Sequence, residues 1–134
     1  MRYLLLVLIF ISGSVSAHQW TPTYPEFRPS YVDGVLTTKM KLFNTRQDVD
    51  YYEIQVMDED MRPVDFATTD RIVHAPYLSK RIVDVYIGAH DQGRVMYVCT
   101  MSKLLVAGSN GTSVASRVCS KVKNAISIGD ITAQ

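Results

Sequence analysis

Two cysteines, three histidines and one acidic cluster are the side chains of this 134-residue chain whose types and spacing bear on chemistry. Cys99 and Cys119 are its only cysteines. Asn110-Gly111 lies between them and tolerates the positive φ of a tight turn, so folding the chain about Ser109 sets the two opposite each other. Directly opposed residues of an antiparallel pair have α-carbons about 4.5–5.5 Å apart, within disulfide reach. Closing a loop of about 20 residues is worth roughly 3 kcal/mol in the chain-entropy model. His18 offers a different chemistry. If the chain is cut after Ala17, a free α-amino group and the His18 imidazole can chelate Cu(II), which favours nitrogen ligands in tetragonal geometry. Such a site needs a further ligand, and His74, His90 or Asp91 would have to converge on it. Asp58-Glu59-Asp60 lacks the ligand spacing and central glycine of a calcium loop and reads as a solvated turn. No serine carries the flanking glycines of a nucleophile elbow, so hydrolysis is not supported. Asn110-Gly111-Thr112 fits the glycosylation acceptor pattern, but the turn explains the same residues.

Composition narrows the partners. Charged residues make up 20% of the chain and the formal net charge is +1, so no basic field exists to hold nucleic acid. The N-terminus has the order of a secretory signal: a positive Met1-Arg2, an apolar run at residues 4–11, and small residues Val15 and Ala17 at the −3 and −1 positions. That run is too short to span a bilayer as a helix. The expectation is a signal peptide at residues 1–17, a mature chain beginning at His18, and export to a periplasmic or secreted setting where the cysteines are oxidised.

The elements that must position these groups are strands. Residues 18–34 hold Pro22, Pro25 and Pro29 among Trp20, Tyr24 and Phe27, and read as an extended lead-in whose rings pack across a sheet end. Residues 35–123 read as the β-domain, and residues 124–134 as a tail. Within the domain, residues 36–42 put Leu36, Thr38, Met40 and Leu42 on one face. Residues 51–57 turn Tyr52, Ile54 and Val56 inward, and residues 81–87 do so with Val83, Val85 and Ile87. Residues 64–66 suggest a short edge strand after Pro63, and Ala75-Pro76 a crossing between sheets. The last strand sets Val114, Val118 and Val122 against Arg117, Cys119 and Lys121. Two registers of the cysteine hairpin are open. One places the disulfide on the outer face with Met96 and Val98 inward; the other buries Val95, Tyr97, Cys99 and Met101 and needs a bulge. The first is preferred. Short strands with frequent turns and no helical period indicate an all-β, immunoglobulin-like antiparallel sandwich of about seven strands, with a small barrel as the alternative.

Two motifs add resemblances. Tyr97-Val98-Cys99 resembles the Tyr-x-Cys of immunoglobulin domains. The order Lys39-Met40-Lys41-Leu42-Phe43-Asn44, a tyrosine-rich strand, residues 58–63 and residues 76–86 is similar to the N-terminal domain of periplasmic pilus chaperones. The resemblance runs from about Val35 to Lys123. It implies a last strand that pairs with an incomplete subunit, with Lys123 or Lys121 anchoring that subunit's carboxylate and Arg28 the nearest basic partner. Thr21-Pro22-Thr23-Tyr24-Pro25 also resembles the opening of short exported phage-encoded proteins of unassigned function.

The expected function is therefore a non-enzymatic, exported module that binds another protein by strand addition at Val114, Val118, Lys121, Val122 and Lys123. A copper-binding domain built on His18, His74 and His90 is the class-distinct alternative. A structural or decoration module of a larger assembly is the third.

Overall fold

A computed structural model describes residues 18–103 and 115–123. The expected signal peptide, the Asn110-Gly111 turn, Val114 and the tail at residues 124–134 lie outside the described residues. The fold is a sandwich of two antiparallel sheets. The first sheet runs β1 (Gln19–Thr21), β3 (Val35–Phe43), β7 (Lys80–Gly88), β5 (Ala67–Thr68), with β2 (Arg28–Pro29) also on β3. The second runs β6 (Ile72–His74), β4 (Tyr51–Met57), β8 (Tyr97–Lys103), β9 (Arg117–Lys121). The chain passes from β3 to β4 and from β7 to β8 between sheets, which is the immunoglobulin-like connectivity.

Period-two alternation does the positioning, because each strand has one face to bury. Thr38, Met40 and Leu42 of β3 and Val83, Val85 and Ile87 of β7 face Tyr52, Ile54 and Val56 of β4 and Val98 of β8. Val122 closes the far end of this core and Val118 packs against it. The three alternating strands read from the sequence have the faces expected of them.

The lead-in is more than a cover. Residues 19–21 and 28–29 both pair with β3, so the sheet begins before residue 35. Trp20 and Phe27 fill the core, and the Trp20 Nε1 donates across the sandwich to the Val98 carbonyl at 2.9 Å. Aromatic burial outweighs the lost ladder bonds of three prolines.

The expected strand at residues 64–66 is placed differently. Pro63 bridges to Met57 and the Val64 N–H donates to the Val56 carbonyl, so this stretch starts along β4. It then leaves for the other sheet, pairs there as β5 with Val85 and Tyr86, and returns to β4 as β6. One edge segment thus serves both sheets. The crossing expected at Ala75-Pro76 follows, between β6 and β7.

Cys99 and Cys119 are directly opposed in the β8–β9 register and bonded to each other. Val98, Thr100 and Ser102 of β8 are buried facing β1, which puts the disulfide on the outer face as the preferred register has it. Cys99 nevertheless has no solvent exposure; Gln55 of β4 is its neighbour on the other side. Replacing both cysteines with serine is expected to lower unfolding stability by roughly 3 kcal/mol, read by urea titration, because the cross-link closes a separation of 20 residues. A midpoint unchanged from wild type would show that the bond does not restrain the unfolded chain.

Candidate functional site

Two features stand out from the residues upward: a buried polar cluster at one end of the sandwich, and beside it a strand edge on β9 that no described strand covers. The cluster begins where β3 ends. Asn44 is fully buried, and its backbone extends the β3–β7 ladder, donating to the Ser79 carbonyl and accepting from the Leu78 N–H. Its Nδ2 donates to the carbonyls of Val49 and Ala75, each at 2.7 Å. Its Oδ1 accepts from the Arg46 N–H at 2.8 Å and from the Tyr52 hydroxyl. Every hydrogen-bonding position of the side chain is used, which is what full burial of an amide demands.

Arg46 carries the cluster outward. Its guanidinium holds Asp48 with two bonds, at 2.9 and 2.6 Å, and points Nη1 at the hydroxyls of Ser102 and Ser116, at 3.4 and 3.2 Å. That fork hydrogen-bonds Asp48 and holds its carboxyl below the usual carboxylate range. Ser116 in turn donates its N–H to the Ser102 hydroxyl.

His18 sits behind this guanidinium with only 3% of its surface exposed. Its Nε2 lies 2.6 Å from the Thr100 hydroxyl, its Nδ1 lies 3.3 Å from the Ser116 hydroxyl, and its ring is 4.5 Å from that of Tyr52. Burial, and then the nearby Arg46 charge, push the imidazole down to about 4, so it is neutral at pH 7. Burial also pushes the Tyr52 hydroxyl up to about 12. A histidine beside a serine hydroxyl has the look of a base and nucleophile, yet the Ser116 oxygen also accepts from Arg46 and His18 is enclosed. The arrangement locks β1 to β8; it does not present a reacting group to solvent.

The copper set is not assembled. Both nitrogens of His18 are engaged inside the sandwich. His74 stacks on Tyr51 at 4.7 Å on the outer side of β4. His90 lies at the other end, in the single turn Ala89–Asp91 after β7, with its Nε2 3.3 Å from the Asp91 carboxylate. Arg94 holds the other oxygen of Asp91 at 2.6 Å. Among the described residues no group of three or more His, Cys, Asp or Glu is placed to hold a metal. The strand pairing separates these residues: His18 turns inward, His74 outward, and His90 belongs to the opposite rim.

The β9 edge keeps most of its expected residues together. Val118 is half-buried and Val122 fully buried in this chain's own core, while Arg117, Lys121 and Lys123 are exposed. Val122 is therefore not free for a partner, and Val118 is free only in part. What the strand offers is backbone. Ser102 N–H donates to Ser116 and Val122 N–H to Met96, so even-numbered residues of β9 bond to β8 and odd-numbered ones face away. Lys123 confirms the direction, donating its N–H to the Pro25 carbonyl at 2.8 Å. Arg117, Cys119 and Lys121 turn their N–H and C=O outward, and among the described residues no backbone partner meets them. Arg28, on β2, is paired with Glu26 at 3.4 Å.

No protein-family model and no curated protein matches the chain. Among the described residues no helix is long and apolar enough to cross a membrane.

The sequence pointed to His18 and the β9 lysines but missed Asn44, Arg46, Thr100, Ser102 and Ser116. A signal was present: Thr100 and Ser102 continue the inward face of Val98, and polar residues on a buried face need partners.

Two outcomes follow. Asn44→Asp should cost about 2 kcal/mol or more at pH 7, because a carboxylate oxygen would replace the amide that donates to two carbonyls; an unchanged urea midpoint would remove Asn44 from its central role. His18 has a folded value near 4 against 6.5 unfolded, so the unfolded chain binds the extra proton in that interval. Stability should be complete above about pH 6.5 and fall by up to about 3 kcal/mol as pH drops toward 4. His18→Gln should flatten that stretch of the pH–stability curve, and a slope equal to wild type would assign it to other groups.

Proposed function

We propose that the chain is a non-enzymatic binding module, working in an oxidising extracytoplasmic compartment, whose β9 edge takes an extended segment of another protein. The observation that carries this reading is the outward backbone of Arg117, Cys119 and Lys121, bounded at one end by the Lys123–Pro25 bond. A strand added there gains main-chain hydrogen bonds, and its alternate side chains meet two different surfaces. On the outer face it meets Arg117 and Lys121, which favour acidic residues. On the inner face it lies beside the half-buried Val118 at the margin of the core, which favours apolar ones.

The same charges disfavour a second copy. Two β9 strands paired antiparallel about Cys119 would set Arg117 against Lys121 of the other chain, and like charges directly opposite destabilise a pair. The similarity to the N-terminal domain of pilus chaperones agrees with this use of the last strand. The competing role for the lysines is to keep the edge unpaired.

A test is titration with synthetic nonapeptides in which valine alternates with glutamate, compared with peptides alternating valine and lysine. The acidic series should slow amide hydrogen exchange at Arg117, Cys119 and Lys121, and Lys121→Glu should reverse the preference. Equal and unaltered exchange with both peptides would leave the lysines as guards and the reading without support.

A further inference from the structure

On the side of the sandwich away from β9, a cleft of about 220 Å³ lies between β6 of the second sheet and β7 of the first. Residues 68–70 of the crossover, residues 73–74 and residues 81–84 line it. Val73 and Val83 are buried core residues and give it apolar wall. Arg81 is its cation. The Arg81 Nε donates to the His74 carbonyl at 3.1 Å, and its Nη1 donates to the Lys80 carbonyl at 2.9 Å. These bonds tie β7 to β6 and fix the guanidinium, yet both acceptors are neutral. Among the described residues no carboxylate lies within ion-pair distance of Arg81. A guanidinium that is oriented but not neutralised is prepared for a carboxylate, which it binds in a charge-assisted pair.

Two further groups of the lining lack partners. The Thr68 hydroxyl is buried and makes no hydrogen bond, so a ligand group that bonds to it removes an unfavourable feature. Asp70 is exposed and has no ion-pair partner among the described residues. The other charged or titratable groups of the lining are engaged. Asp84 lies 3.8 Å from Lys39, and His74 stacks its ring on Tyr51 while its carbonyl holds Arg81.

The signs of these charges decide the ligand class. One guanidinium and two carboxylates line the cleft, so a simple anion meets a net negative surround and a simple cation meets Arg81. Phosphate and sulfate, with more negative charge, are disfavoured most. A molecule carrying both signs close together suits all three groups. We infer that the cleft binds a free aliphatic α-amino acid. Its carboxylate pairs with Arg81 and accepts from the Thr68 hydroxyl, its ammonium turns to Asp70, and its side chain packs on Val73 and Val83. The volume agrees, because it is below the roughly 300–1,000 Å³ of cavities that take drug-sized molecules.

The experiment is an amide NMR titration of the full chain with L-leucine near neutral pH. Leucinamide, which lacks the carboxylate, and isocaproate, which lacks the ammonium, are the comparison ligands. Leucine should shift the amides of Thr68, Thr69, Ile82 and Val83 saturably, with a Kd of about millimolar. Each analogue leaves one charge of the cleft unpaired and should bind roughly tenfold more weakly or worse. Arg81→Gln should weaken leucine about tenfold and leave leucinamide unaffected, whereas Asp70→Asn should weaken leucine and leave isocaproate no weaker. The amide spectra report whether both variants are folded, and the comparison of ligands on wild type needs no variant. No saturable shift up to about 50 mM leucine would overturn the inference. Isocaproate binding as tightly as leucine would also overturn it, by assigning a site for monocarboxylates. Shifts at Arg117 and Lys121 in place of the cleft would put leucine on the β9 edge and reject the site. Peptide binding at β9 is read at different amides, so neither result decides the other.

Discussion

The Asn44 carboxamide is the interaction on which the described structure depends most. Within one buried group it satisfies the loop carbonyl of Val49, the carbonyl of Ala75, the Arg46 N–H and the Tyr52 hydroxyl. Those partners come from the second sheet and from the two connections that close this end, while Asn44 itself follows β3 of the first sheet. A hydrophobic residue there would fill the volume, but the carbonyls and the hydroxyl would then be stranded without water. The core proper is non-directional and would tolerate some sliding of one sheet on the other. Asn44 fixes the offset, and Arg46 extends the same logic to Ser102 and Ser116, so that the start of β9 is set by a chain of polar contacts beginning at the end of β3.

With that end fixed, the two sides of the sandwich are left with different kinds of edge. On one side β1 and β2 follow β3 while β9, among the described residues, has no further strand beyond it and carries only positive charge on its outer face. On the other side a single segment is divided between the sheets, first beside β4, then as β5 against β7, then as β6 against β4 again. Because it spends only two residues on β7, it cannot cover that strand. Among the described residues, sharing one segment between two sheets therefore leaves Lys80 and Ile82 without a backbone partner on that side. The two edges differ in charge pattern, one uniformly positive and one alternating in sign about Ile82.

The fold was legible where burial alone decides. Leu42, Tyr52, Ile54, Val83 and Val85 alternate with polar neighbours, and period two is enough to place them. The disulfide followed from the opposed positions of Cys99 and Cys119. What the sequence did not show was anything set by a long-range polar partner. Asn44 and Arg46 lie in a stretch that looks like any surface turn, and only the packing of β4 and β8 reveals that they face inward. His18 looked like a ligand because it would head a processed chain; in the structure Thr100, Ser116 and Tyr52 enclose it. Trp20 and Phe27 stood among prolines that argue against a strand, and their rings were worth more to the core than the missing ladder bonds. Pro63 marked an edge correctly, but the chain's departure to the other sheet and back has no local signature.

The cross-strand disulfide has a mechanical consequence. An outermost strand of a sheet, gripped from the side, is the element most easily peeled, because its hydrogen bonds to the next strand can break one after another. In this protein the bond between Cys99 and Cys119 sits at the middle of β9 and joins it covalently to β8, whose other side is zipped to β4 along seven residue pairs. Tension arriving at β9 is therefore passed into the interior of the second sheet, where separating strands means shearing many hydrogen bonds at once. A strand added at β9 would be pulled off before β9 itself came away from β8.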